Sequence, residues 1–208
     1  MKITNNGRLE VQAPLDLSLK AIEELLLSEA NWLARALTAA RGNRQPIHPP
    51  VMTGRMLPLL DERLCLVVTV ADFPRIYRSG QELWLHSPSN ATEELTSVLN
   101  SWYQHQAWLY LPPRLRQLAE RLQVRPTKVT VRSQKTRWGS CSMRGTISLN
   151  WRLMLLPSVL ADYVLAHELC HLRHLDHSPR FWALVSTLIP DYRKRRSALR
   201  QASASLPL

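Results

Sequence analysis

The sequence predicts an α+β fold, and three observations carry that expectation. Short strand-like runs fall in two groups, one between residues 64 and 86 and one between 128 and 149. Long helical segments lie between and after these groups, so strands and helices come in blocks. The helix that begins near Ser158 is apolar nearly all round, which marks it as buried.

Taken in order, residues 3–13 alternate weakly around Asn5-Asn6-Gly7 and predict a hairpin. Residues 14–40 read as an amphipathic helix with Ile22, Leu25, Leu26, Trp32, Leu33 and Leu37 on one broad face. Pro46, Pro49 and Pro50 make 41–50 a loop. Strands are expected at 64–70, 75–77 and 83–86. A helix follows over 91–110, kinked or restarted at Pro112-Pro113 and running to Gln123. Strands at 128–131, 135–138 and 146–149 come next. Pro157 and Ser158 supply a helix start, and no Gly or Pro interrupts 159–175. Ser178-Pro179 opens another helix to Leu188, and Asp191 opens the last. The expected organisation is an N-terminal β/α lobe over 1–90, packed on a catalytic domain over 91–208.

Cys65, Cys141 and Cys170 are odd in number and show no CxxC pairing, which favours reduced thiols. The first ten residues have no apolar h-region, and the longest apolar strand-like run is too short for a bilayer. A cytoplasmic protein with no membrane partner is expected. The net charge of +11 is uneven: ten Lys/Arg stand against Glu120 alone between Leu111 and Arg152. A second basic stretch holds Arg193, Lys194, Arg195, Arg196 and Arg200. Such patches suit DNA phosphates or acidic substrates, or form an ordinary solvated face.

Four of the seven histidines fall within eleven residues, in His167-Glu168-Leu169-Cys170-His171-Leu172-Arg173-His174-Leu175-Asp176-His177. Residues four apart share a helix face, so His167 and His171 can reach one Zn²⁺. Glu168, rotated about 100° from His167, sits beside such an ion as a base rather than on it. Polar groups inside a buried helix are costly unless a metal or equivalent satisfies them.

A catalytic zinc takes three protein ligands and leaves a position for water. No Glu follows Glu168, which leaves His174, Asp176, His177 and Asp191 as candidates for the third. On a continuing helix His174 would lie about 10.5 Å along the axis from His167, too far to share the ion. A turn before Ser178-Pro179 can fold His177 back, so His177 is favoured. Asp191 reads more simply as a helix N-cap and is the second candidate.

The blocks Thr136-Arg137-Trp138-Gly139-Ser140-Cys141-Ser142, Ile147-Ser148-Leu149-Asn150-Trp151-Arg152-Leu153 and Asp162-Tyr163-Val164 add to the histidine pattern. With His177-Ser178-Pro179-Arg180-Phe181-Trp182 and Pro190-Asp191-Tyr192, they strongly resemble the YgjP-like metallopeptidase family, related to SprT-type zinc peptidases. The resemblance is dense over roughly 95–191 and looser before it. It implies a zincin-like fold, in which a mixed sheet packs over the active-site helix and a small N-terminal lobe adjoins it. It also implies His167, His171 and His177 as zinc ligands and Glu168 as base. SprT-type relatives act on DNA-bound proteins, an analogy that would suit the basic patches. A metzincin is disfavoured, because His174 stands where that class has Gly and no Met follows Met154.

The expected chemistry is peptide hydrolysis by one zinc-activated water with Glu168 as general base. Arg137 and Tyr192 are candidate transition-state contacts, against the plainer roles of surface cation and packing residue. Trp138 and Gly139 are read in a strand near the cleft, where an extended protein or peptide substrate could add a strand. For Trp138, core packing is the equal alternative. Cys141 and Cys170 are expected to be small buried residues. Two further readings stand beside the peptidase. One is a nucleic-acid-binding module with a structural zinc and little or no hydrolase activity. The other is a peptidase whose N-terminal lobe covers the cleft.

Overall fold

The computed structural model of the chain describes residues 2–3, 9–10 and 51–205. Two compact units divide it, 1–50 and 51–208. In the first, β1 (Lys2–Ile3) and β2 (Leu9–Glu10) pair antiparallel, with Lys2 opposite Glu10 and Ile3 opposite Leu9. This is the hairpin expected around Asn5-Asn6-Gly7. The helix expected over 14–40 and the loop over 41–50 lie outside the described residues.

The second unit is α+β. It begins with a mixed sheet of β3 (Met56–Leu59), β4 (Glu62–Val70), β5 (Arg75–Ser79) and β6 (Glu82–Ser87), ordered β3-β4-β6-β5. Strands β4 and β6 run parallel and the other pairs antiparallel. Leu64, Leu66, Leu83 and Leu85 are fully buried, and the residues between them are less so, the two-residue period of a half-buried sheet. Sequence reasoning missed β3 because Pro58 interrupts it. Pro58 is tolerated because β3 is an edge strand that pairs with β4 alone.

Behind this sheet runs α1 (Thr92–Leu122), a single helix of 31 residues. The break expected at Pro112-Pro113 does not occur. The two prolines leave the carbonyls of Trp108 and Leu109 without helical donors, and those residues are 50% and 60% exposed, within reach of water. The helix ends at Gln123, which adopts the left-handed conformation at φ 54°.

A second mixed sheet, ordered β7-β9-β8, contains β7 (Lys128–Arg132), β8 (Gly139–Cys141) and β9 (Thr146–Asn150). The strand expected at 135–138 is corrected here: residues 133–138 form a connection, and pairing starts at Gly139 opposite Leu149. Earlier residues have no strand to pair with, because the chain after Asn150 turns into the 3₁₀ helix Trp151–Leu155. The Asn150 side chain holds the connection instead. Its amide donates to the carbonyls of Gln134 (2.8 Å) and Arg137 (3.0 Å), and its Oδ1 accepts from Arg152 N–H (3.1 Å). The Asn150 backbone N–H donates to the Trp138 carbonyl at 2.8 Å.

Three helices complete the unit: α2 (Ser158–Cys170), α3 (Pro179–Leu188) and α4 (Tyr192–Ser205). The carboxylate of Asp61 accepts the first-turn N–H of Ser158 at 2.9 Å, capping α2 from the distant β3–β4 turn. Arg114 on α1 makes a two-pronged contact with Asp162 on α2, at 2.8 and 2.6 Å. One continuous core joins both sheets to α1 and α2, so residues on either side of position 90 share it. Among the described residues no helix is long and apolar enough to cross a membrane.

Replacing Asn150, which is fully buried, with Leu removes its bonds to two carbonyls and one amide, and the Gln134 carbonyl keeps only the long 3.5 Å bond from Arg152. Urea unfolding of Asn150→Leu is expected to show a loss of about 3 kcal/mol, several times the usual surface effect.

Candidate metal centre

Helix α2 carries His167 and Glu168 on its last turn. Its buried residues, Leu160, Ala161, Val164, Leu165, Ala166, Leu169 and Cys170, surround the axis, as the all-round apolar pattern predicts. The helix stops at Cys170, five residues short of the expected end. The turn after it tightens through bonds from Leu172 N–H to the Leu169 carbonyl (3.0 Å) and from Arg173 N–H to the Cys170 carbonyl (3.1 Å). Arg173 then donates to the Leu122 carbonyl at the end of α1 (2.6 Å). Without Gly or Pro at this point, the stop is a tertiary effect that local propensity does not signal.

The early stop changes where the later histidines lie. His174 leaves the helix, and its backbone carbonyl meets His171 Nδ1 at 2.9 Å, fixing that ring. His177 folds back so that its Nε2 lies 3.1 Å from His167 Nε2, while His171 Nε2 lies 3.3 Å from the same atom. Nitrogens that share a tetrahedral zinc at 2.0–2.1 Å stand about 3.3 Å apart. The ligand-capable atoms of His167, His171 and His177 all fall within 4.8 Å of one another. Among the described residues no other cluster of this kind occurs, and neither Asp191 nor Asp176 joins it. The Asp191 carboxylate is taken instead by Arg195 at 2.9 Å.

Phe181, fully buried on α3, holds the three rings together. It stacks with His171 at 4.5 Å and meets His167 and His177 edge-on at 4.9 and 4.8 Å. Trp182 lies nearly parallel to His177 (5.6 Å) and to Tyr192 (5.2 Å). Sequence reasoning did not give Phe181 a role, although it stands four residues after His177, where a helix beginning at Pro179 would bring it back to that turn.

Electrostatics suit a cation. Burial, followed by the neighbouring His171 and His177, lowers the pKa of His167 to about 3. Burial also lowers that of His171. Both imidazoles are therefore neutral at pH 7, with lone pairs free to ligate. Nδ1 of His167 is buried without a hydrogen-bond partner among the described residues. The converging nitrogens, their spacing and the neutrality of His167 and His171 fit a bound divalent metal.

Glu168 is 6% exposed. Burial raises its pKa to about 7, opposed by the positive charge of Arg137. The backbone of Gly139 in β8 lies against it: a Cβ there would stand 2.8 Å from both Cγ and Oε1 of Glu168. Gly139 is thus required by close approach, a reason invisible in the sequence. Trp138, expected in a strand by the cleft, is instead 8% exposed, precedes β8, and donates its indole N–H to Ser203 at 2.7 Å. Packing accounts for it, because so little of the ring is open to a substrate. Arg137 is exposed and Tyr192 half-buried beside Trp182. Cys141 is a half-buried thiol whose pKa is pushed up to about 11 by burial and by Glu168, and Cys170 is buried in the core.

A sequence-family model described as YgjP-like, metallopeptidase domain, matches residues 1–202. The match spans nearly the whole chain and defines its class, a metallopeptidase. The chain belongs to the YgjP-like family. Among solved structures it is similar to one described as the metallopeptidase zymogen of Pyrococcus abyssi abylysin. The two are 24% identical, the similarity covers 44% of this chain and 93% of that one, and the TM-score is 0.41. No curated protein matches the sequence.

Gly139→Ala places a methyl group inside the space of Glu168. It is expected to lower stability by about 1–3 kcal/mol in urea unfolding. Metal content should hold, because the three histidines stand on other segments.

Proposed function

We propose that the protein is a zinc-dependent endopeptidase, with His167, His171 and His177 as ligands of one Zn²⁺ and Glu168 as general base. The observation that supports this best is the convergence of three imidazole nitrogens beside a buried carboxyl group. Bound there, Zn²⁺ would supply Lewis acidity that lowers the pKa of water toward 7 and polarises a carbonyl. The protein's own groups do the rest. Glu168 takes the proton of the attacking water on a carboxylate oxygen and delivers it to the leaving amide nitrogen. Arg137 favours the ionised form of Glu168 that accepts the proton, and a bound Zn²⁺ would favour it further.

Strand β8 is an edge strand, with β9 as its partner and no other among the described residues. An extended peptide laid along its free edge would pass close to Glu168, since Gly139 lies against that side chain. Tyr192, beside Trp182, is the candidate contact to the developing oxyanion. Surface cations supply the DNA reading: Arg116, Arg121, Arg125, Lys128, Arg132, Lys135, Arg137 and Arg144 are all exposed. Substrates would then be proteins carried on DNA, and the site of action the cytoplasm. A structural zinc in a binding module would give no role to a buried Glu168, which favours the enzyme.

The deciding comparison is zinc-loaded wild type against Glu168→Gln on an unstructured protein substrate. Glu168→Gln should retain zinc while cleavage falls by about 10³-fold or more. Equal cleavage by both forms would remove Glu168 from the mechanism. Faster cleavage of a DNA-bound substrate on adding single-stranded DNA would support the DNA reading, and no change would reject it.

A further inference from the structure

We propose that the groove between α3 and α4 is a substrate subsite that takes an acidic side chain of the peptide close to the scissile bond. The inference rests on the peptidase reading above and adds a specificity to it. The groove encloses about 700 Å³ and is lined by Pro179, Trp182, Tyr192, Arg193 and Lys194 among others. Trp182 belongs both to this groove and to the histidine cluster, with its ring 5.6 Å from that of His177 and 5.9 Å from that of His167. An extended peptide advances about 3.3 Å per residue, so a side chain two or three residues from the scissile bond reaches the groove.

The charge at the groove is positive, and Arg193 Nε donates to the neutral Tyr192 hydroxyl at 3.3 Å rather than to an acid. The guanidinium of Arg196 lies over the Trp182 ring at 4.9 Å, and that of Arg193 lies 5.9 Å from the Tyr192 centroid. Among the described residues neither has a carboxylate partner, and both are exposed. The one acid on the wall, Asp191, is already held by Arg195. Stacked rings pack the methylene stem of a glutamate, and a guanidinium fork held over a ring meets its carboxylate in two-pronged fashion. A lysine at the same peptide position would face Arg193 and Lys194 on the wall, with Arg196 over the neighbouring Trp182 ring.

The test uses three fluorogenic peptides that differ only two residues from the cleaved bond, with Glu, Gln or Lys there, placed on either side in turn. On one side the wild-type, zinc-loaded enzyme should prefer Glu over Lys by about tenfold in kcat/KM, equivalent to ~1.4 kcal/mol. Arg193→Glu/Arg196→Glu should invert that order, a change that loss of packing alone cannot produce. Arg193→Gln/Arg196→Gln should abolish the preference without inverting it. Equal rates for Glu and Lys peptides on both sides would overturn the subsite and leave the peptidase intact, whereas cleavage of no peptide would overturn both. A binding competition on the Glu168→Gln protein separates a peptide from a nucleic acid. An oligothymidylate that displaces the Glu peptide and loses affinity in the charge-reversed double variant would assign the groove to phosphates and reject the proposal. Failure to displace it would support the proposal.

Discussion

Glu168 and His167 stand side by side on a helix with no polar face, and burial drives both toward their uncharged forms. Burial keeps His167 neutral and lifts the Glu168 carboxyl to about 7, so near neutral pH both forms of Glu168 are populated. A dication beside them changes that balance: neutral imidazoles already offer their lone pairs, and positive charge lowers the pKa of a neighbouring carboxyl group. On the proposed mechanism, the helix would present imidazoles that need no deprotonation and a carboxyl group whose ionisation a bound metal would favour. Phe181, fully buried, contacts all three imidazoles and limits how far any of them can swing away.

The rest of the domain serves that last turn of α2. Arg114 and Asp61 fix where the helix lies and starts. Asn150 holds the 133–138 connection, so that β8 begins where its backbone can lie against Glu168. The Glu168 carboxyl group is enclosed by glycine backbone on one side and by apolar helix on the other. A side chain at Gly139 would press on the carboxyl group of Glu168.

Much of this was legible in the sequence, because the relevant signals were local. His167, Glu168 and His171 follow from helical periodicity, and the Ser178-Pro179 restart pointed to His177. The strands at 62–70, 75–79, 82–87, 128–132 and 146–150 differ from the expected ones only at their ends. What could not be read depends on contacts distant in sequence. The stop of α2 at Cys170 is followed by the Arg173 bond to the end of α1, and β8 starts where the chain after Asn150 turns away. β3 was hidden by a proline that only an edge strand tolerates. Trp138 carried the same residue type whether it lined a cleft or filled a core, and only burial distinguishes the two.

X-ray absorption at the zinc edge of the metal-loaded protein tests the central claim most directly. The account predicts one zinc per chain surrounded only by nitrogen and oxygen at about 2.0–2.1 Å, with the imidazole signature reduced in His177→Ala. A sulfur ligand near 2.3 Å would bring Cys141 or another thiol to the metal and contradict the three-histidine centre.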